Sequence, residues 1–381
     1  MHFVFREIKV PFRIRINDDD FESTINEIII HCMENRLATN YSLILTTKHL
    51  YDLYLRKVNI PNAKFVFITD TRISTILKVY NEYLLGNSFP VIVGIGGGKV
   101  IDAAKYLGFL KALPVISVPT TLSNDGICSP VSVLIDENGK KQSIRSTMPI
   151  AVIGNLDIIK KSPIKYISAG IGDMLAKISS LKDWRLAHED IGENIDDTAY
   201  LLMHTAVMNL LRKLKYEIDN IDDVLNESFL NELFYALTIS GISMYITGSS
   251  RPASGAEHMI SHAIDYLYPH KSGIHGFQVA YGTLITEVLR GEDISELVEI
   301  FKKVGLPISY KELNLTEEEI VNAVLYAPRI RNRYTIFNRI NLNKRLVKNT
   351  IEKVERISQS IDMKREYYEK AVSVCYYKVR W

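Results

Sequence analysis

The residue types best suited to chemistry lie in the second half of the chain. SGAEHMISHAID places His258 and His262 four residues apart, so a helix would carry both imidazoles on one face. His275 follows a turn containing Gly273, and far upstream Asp173 sits in SAGIGDMLAK, near the start of a helical pattern. Two imidazoles and a carboxylate can bind a divalent metal and leave one coordination position open, as catalytic zinc sites do. Histidines at helical spacing also serve as ordinary polar or capping residues, and spacing alone does not choose between the two readings.

A second chemistry is written into PVIVGIGGGKVIDAAKYLGFLKALPVISVPTTLSND, Pro90 to Asp125. Val91 to Val93 read as a buried parallel strand. Gly94, Gly96, Gly97 and Gly98 remove β-carbons where the chain turns and where a diphosphate could approach the backbone. Lys99 to Leu110 has helical spacing, and its N-terminus turns free N–H groups toward that glycine run. After the next strand, Pro119-Thr120-Thr121-Leu122-Ser123-Asn124-Asp125-Gly126 gathers three hydroxyls, an amide and a carboxylate at a strand's carboxyl end, where open α/β sheets bind ligands. A glycine turn of this kind can also serve packing alone; the polar loop behind it favours a dinucleotide.

The elements that must hold these groups follow from the patterning. Ile8 to Ile16 alternates and is interrupted by Pro11, which suits an edge strand. Phe21 to Asn35 is amphipathic, with Asp18 to Asp20 as cap candidates. Ser42 to Thr46 and Phe65 to Thr69 are short apolar strands, each followed by a helical pattern. With Val91 to Val93 and Val115 to Val118 they predict a parallel, doubly wound, Rossmann-like sheet. Val131 to Ile135, the turn at Asn138-Gly139 and Lys140 to Ser143 read as a hairpin, and Ala151 to Ile153 is expected to close the sheet. From Ser162 onward helical spacing runs almost to the end. The expected organisation is therefore an α/β domain over residues 1–160 and an all-α domain over 161–381, with the substrate in the cleft between them.

Composition narrows the function classes. At 381 residues and 47% hydrophobic the chain can bury two cores. Its formal charge of +2 gives no whole-chain argument for nucleic acid. Cys32, Cys128 and Cys375 make no disulfide or metal spacing, which suits a reducing cytoplasm. No apolar run approaches twenty residues and the N-terminus lacks a signal-peptide core, so neither a membrane span nor export is expected. Asp70, ending the second short strand, could bind an adenosine ribose or cap the helix starting near Thr71; Lys48 near Thr47 keeps NADP open beside NAD.

GIGGGKVIDAAK, PTTLSNDGICSP, AGIGDMLAK, GSSRPASGAEHMISH and IHGFQVAYGT occur in that order across residues 40–340, with a weaker block, RNRYTI, at Arg331 to Ile336. Together they resemble the sn-glycerol-1-phosphate dehydrogenase family, within the iron-containing alcohol dehydrogenase and dehydroquinate synthase-like superfamily. That resemblance implies a dehydroquinate synthase-like fold and a metal-dependent, NAD(P)-linked enzyme interconverting dihydroxyacetone phosphate and sn-glycerol 1-phosphate. It implies that Gly96, Gly97, Gly98, Asp102, Thr120, Thr121, Ser123 and Ser129 hold NAD or NADP. Asp173, His258 and His275 would bind the metal, usually zinc in such enzymes and nickel in some bacterial members. Asp125 and His262 would face the substrate, His262 as the proton donor or relay. Arg251 is the first candidate for gripping a substrate phosphate, with Lys177 behind it. The partner expected is this small phosphorylated three-carbon ketone or alcohol, in a homo-oligomer with a dimer favoured.

The alternatives are a dehydrogenase for an unphosphorylated polyol, cyclitol or aminocyclitol, a dehydroquinate synthase-like cyclase, and a non-catalytic cofactor-binding protein. Three departures from the family pattern stand out: Phe277 where the block continues with an acid, Asn124 where relatives often carry histidine, and no family block beyond about residue 340. There Lys344 to Arg380 are basic and interleaved with Tyr367, Tyr368, Tyr376, Tyr377 and Trp381, either a solvated helical face or a docking surface for an anionic partner.

Overall fold

Six five-residue strands make one fully parallel sheet: β1 (Arg13–Asn17), β2 (Ser42–Thr46), β3 (Ala63–Phe67), β4 (Ile92–Gly96), β5 (Val115–Pro119) and, after the hairpin strands β6 (Val131–Ile135) and β7 (Lys141–Arg145), β8 (Ala151–Asn155). The computed structural model describes residues 10–17, 21–34, 42–58, 60 and 62–378. The cap candidates Asp18 to Asp20, the start of the first alternating stretch and the side chains of Tyr367, Tyr368, Tyr376, Tyr377 and Trp381 lie outside the described residues.

The strand order is β1-β8-β5-β4-β2-β3. Ala151 to Ile153 was expected to close the sheet; instead β8 lies between β5 and β1, and β1 takes the edge. Every residue of β2, β4, β5 and β8 is buried, as continuous apolar strands covered on both faces must be. One face is covered by α1 (Phe21–Glu34), whose Ile25, Ile28, Ile29 and Cys32 recur at helical spacing and pack on Ile44, Val93, Ile116 and Ile153. A single turn, α2 (Lys48–Leu50), follows β2. The other face is covered by α3 (Ile73–Val79) and α4 (Gly98–Lys111), through Ile76, Val100, Ala104 and Leu107. The connection from β2 runs outward to β3, whereas that from β4 runs the other way to β5. The sheet therefore switches direction between β2 and β4, and a crevice opens at their carboxyl ends.

From residue 156 the chain is helical: α5 (Leu156–Lys160), α6 (Ile164–Ile191), α7 (Asp197–Tyr216), α8 (Glu227–Thr247), α9 (Ala256–Leu267), α10 (His275–Leu289), α11 (Ser295–Lys303), α12 (Glu317–Tyr326), α13 (Ile336–Arg339) and α14 (Lys344–Lys378). Gly192 and Gly248 end α6 and α8 in the left-handed conformation, φ 68° and 63°, where a side chain would be strained. By length and composition α8 is apolar enough to cross a membrane, although no membrane span was expected from the sequence. Yet 67% of its apolar window is buried within the protein, so it serves as a core helix. Among the described residues no other helix meets that test.

Candidate active site

Asp173 on α6, His258 on α9 and His275 at the first position of α10 come together, with one ligand atom from each within 4.8 Å of the others. Nε2 of His258 lies 3.6 Å, and Nε2 of His275 4.0 Å, from Asp173 Oδ1. Both rings are oriented from behind. Nδ1 of His258 donates to Glu257 Oε1 at 2.8 Å. Nδ1 of His275 donates to Ser261 Oγ at 3.2 Å, and that hydroxyl passes its own hydrogen to Gln278 Oε1 at 2.8 Å. Two imidazoles with Nδ1 engaged and Nε2 converging on a carboxylate are the donor set of a divalent-metal site with its supporting bonds in place. Neither Glu257, Ser261 nor Gln278 was singled out from sequence. Their positions, one and three residues from His258 and three from His275, are the signal that could have found them.

Glycines bring these helices close enough. A β-carbon at Gly276 would lie 1.9 Å from the Ala169 carbonyl oxygen, and one at Gly172 would lie 2.5 Å from that of Gly276. Thus α6 and α10 touch backbone to backbone beside Asp173 and His275. In the same way, a β-carbon at Gly170 would fall 1.9 Å from the Leu122 carbonyl oxygen, so the polar loop after β5 rests directly on α6. Asp125 N donates to Asp173 Oδ2 at 3.0 Å across that contact. Asp183, fully buried, caps the start of α9 by accepting from Ala256 N at 2.7 Å and is itself paired with Arg290 at 2.5 Å.

The charges are ordered by this packing. Burial pushes the Asp173 carboxyl up, but Lys177 and the two histidines outweigh it and hold the group far below the usual range. Burial pulls Lys177 down, and Asp125 and Asp173 more than restore it. Its Nζ sits 2.8 Å from Asp173 and 3.1 Å from Asp125, which also accepts from Ser240 Oγ at 2.7 Å. Lys177 is thus fully buried between two carboxylates and is not available to a substrate phosphate. Burial, with His258 beside it, pushes His275 down to about 4. For His258 burial is outweighed by its bonds to Asp173 and Glu257, which raise it.

His262 is drawn to the same place, its ring 6.4 Å from that of His258 and 6.0 Å from that of His275, centroid to centroid. Burial, His275 and Arg331 push it well below the ordinary value, so it is neutral at pH 7. It lines a cleft of about 280 Å³ shared with Lys140, Lys141, Asp265, Tyr266 and Arg331. The hairpin β6–β7 reaches this cleft from the sheet: Lys141 Nζ contacts Ser272 Oγ at 2.6 Å and Asp265 at 3.2 Å, and Lys140 Nζ lies 4.0 Å over the Tyr266 ring.

At the crevice, none of Gly94 to Gly98 has a positive φ, so the run does not serve a left-handed turn. Gly94 and Gly96 let α4 lie against β4, since β-carbons there would come within 2.8 Å of Ala104 and Val100. Gly98 faces open space, with no atom within 4 Å of where its β-carbon would be, and Gly97 faces Thr121. Thr120 N donates to the Gly96 carbonyl, which fixes the polar loop beside the glycines. Ser123 is half-buried on the same loop. The buried Thr121 Oγ1 has no hydrogen-bond partner, and an orphaned hydroxyl above an open glycine backbone fits a dinucleotide.

Several expected site residues are committed elsewhere. Asp102 pairs with Lys105 at 3.0 Å and accepts from Val133 N at 3.1 Å, so its carboxylate ties α4 to the hairpin. Ser129 is buried, with Oγ directed to the Val131 carbonyl at 3.3 Å. Asp70 accepts from Arg72 N at 2.8 Å in a turn just ahead of α3, whose N-cap position is Arg72, so it does not itself cap the helix as the capping alternative had it. Asn124 caps the turn at Asp125 by accepting from Gly126 N, and Phe277 packs on the helical core. Arg251 was expected to grip a phosphate. It is buried, doubly bonded to the Glu193 carboxylate, and donates to the Tyr334 carbonyl at 2.8 Å. A guanidinium already neutralised in this way is a structural clamp.

The sequence profile of the iron-containing alcohol dehydrogenase family matches residues 25–163. The glycerol-1-phosphate dehydrogenase (NAD(P)+) of Nitrosopumilus maritimus is 38% identical over 346 residues, 90% of this chain and 94% of that protein. Its counterpart from Hyperthermus butylicus is 40% identical over 285 residues, 74% of this chain and 78% of that protein. Among solved structures, a probable glycerol dehydrogenase from Sinorhizobium meliloti superimposes with a TM-score of 0.75 at 20% identity, covering 93% of this chain and 99% of that one. At that identity the likeness speaks for the fold.

Proposed function

We infer that this chain, which belongs to the glycerol-1-phosphate dehydrogenase family within the iron-containing alcohol dehydrogenases, interconverts dihydroxyacetone phosphate and sn-glycerol 1-phosphate with NAD(P). The observation that carries the reading is the backbone contact of Leu122 with Gly170. It sets the loop beside the glycine cradle against the helix that bears Asp173, so cofactor and metal positions adjoin.

Asp173, His258 and His275 would hold the metal, which when bound supplies a Lewis acid for the substrate's carbonyl oxygen. The nicotinamide supplies the hydride. What the chain itself contributes is orientation and a proton. Lys177, Asp125 and Ser240 fix the nicotinamide end of the loop. Asp125, its second oxygen outside these bonds, is placed to orient a substrate hydroxyl. His262, neutral and half-buried in the cleft, has an N–H to give to the alcohol oxygen and a lone pair to refill from solvent.

Initial rates with dihydroxyacetone phosphate, dihydroxyacetone, glycerol and inositol-like ketones, each with NADH and NADPH, test the assignment. Absence of any preference for the phosphate ester would sink it. For assembly we expect a dimer, because edge strand β1 leaves Phe12, adjoining Val10 and the nearby Ile30 all about half exposed; light scattering after gel filtration reads this directly.

A further inference from the structure

With Arg251 and Lys177 both neutralised by carboxylates, the phosphate of the proposed substrate needs other cations. The segment before α13 supplies two. Arg331 Nη1 donates to Ser250 Oγ at 3.1 Å and to Ser254 Oγ at 3.3 Å. Arg333 donates to the Ser254 carbonyl and, at 3.1 Å, to Ser250 Oγ. Both side chains are half-buried, and among the described residues no carboxylate forms an ion pair with either. Such guanidiniums are costly unless an anion joins them. Burial together with Arg331 and Arg251 pushes Arg333 down to about 9 against the opposing pull of Glu193 and Glu257, and burial lowers Arg331 against that of Glu257.

Arg331 lines the cleft that His262 enters, and Lys141 faces it from the hairpin. Three cations, Lys140, Lys141 and Arg331, line the cleft against one carboxylate, Asp265, which pairs with the part-exposed Lys141 and accepts from Ser272 and Gln278, so the cleft keeps excess positive charge. Nε and Nη2 of Arg331 make no bond to the protein among the described residues. Its remaining N–H groups are therefore free for a forked contact with phosphate oxygens.

We propose that Arg331, with Lys141 across the cleft and Arg333 bracing it through Ser250, is the subsite that seats the substrate's phosphate monoester. This rests on the function inferred above and adds the residues that make it specific. Arg331 is a specificity residue touching substrate; Arg333 is a positioning residue.

The test is the ratio of kcat/KM for dihydroxyacetone phosphate over dihydroxyacetone, measured on metal-loaded enzyme. R331Q should lower that ratio about 100-fold, chiefly through KM, since it removes a forked charge-assisted contact. R331K should recover part of the loss, and inorganic phosphate, competitive against the ketone phosphate in wild type, should inhibit R331Q about 10-fold more weakly. If R331Q does not fold, K141Q reads the same ratio from the opposite wall. A ratio in these variants within about threefold of wild type overturns the subsite, as does a defect that falls on NADPH binding instead. Wild-type enzyme with no preference for the phosphate ester fails the underlying function and the subsite with it. Wild-type preference that survives in R331Q and K141Q fails the subsite alone.

Discussion

Replacing Gly276 by alanine tests whether the metal site depends on backbone contact between two helices. The new β-carbon would lie 1.9, 2.6 and 2.8 Å from the O, C and Cα atoms of Ala169, against ordinary contact from 3.4 Å. No flexible side chain can yield, so α10 must move off α6 by about 1.5 Å at its first turn, the shortfall in that contact. His275 is the preceding residue, and metal–ligand distances tolerate only about 0.2 Å. Overpacking of this kind costs about 1–3 kcal/mol, and rigid backbone on both sides puts this case at the upper end. We expect G276A to bind zinc about 100-fold more weakly by chelator competition, at the top of the range for lost supporting contacts. The metal-free protein should melt about 5 °C lower. NADH binding by fluorescence, which uses the other side of the cleft, serves as the control for folding. A variant that holds zinc within about threefold of wild type and melts within about 2 °C of it would refute the reasoning.

Other substitutions separate packing from contact. G98A, where the added carbon meets nothing, should leave stability equal or raise it by about 0.5 kcal/mol in urea unfolding, while NADH binding weakens about 10-fold or more because the carbon occupies the cofactor's approach. R251M should lower stability by about 2–4 kcal/mol, since it leaves the Glu193 carboxylate without the guanidinium it grips, and should not change the preference for phosphorylated ketone; altered preference would restore Arg251 to the substrate. Chelation should abolish turnover but retain NADH binding, read by fluorescence, and zinc or nickel should restore activity. Cys128, buried and with its thiol pushed up to about 12 by that burial, should resist iodoacetamide at pH 8 until the protein is unfolded, as mass spectrometry of the alkylated peptide would report.

The parallel sheet was legible because its strands are short apolar runs bounded by turn residues, and fully buried strands leave no other pattern. The histidine face was legible because His258 and His262 share helical spacing. What spacing could not convey was which cations are already spent. Arg251 and Lys177 look like phosphate ligands until Glu193 and Asp125 arrive from elements more than 50 residues away, Asp125 joining Asp173, which stands one turn before Lys177 on α6. The bonds of Asp102 were hidden in the same way, since Lys105 is one turn along but Val133 N comes from the hairpin. The glycine run was read as a turn; its conformation shows that half of it exists for helix–strand contact. Strand order was likewise hidden, since β8 inserts beside β1 through a register that no local signal encodes.

The seating of Leu122 on Gly170 bears on how such an enzyme can be altered. Where two main chains touch there is no side chain to exchange, so the nicotinamide end of the cofactor cannot be adjusted independently of the metal. On the proposed subsite, choice of alcohol can drift at Lys141 and Arg331, which reach the cleft with their side chains. The molecule thus has a frozen joint at its centre beside a tunable margin, and an engineer seeking a new alcohol should leave residues 119–125 and 169–173 untouched.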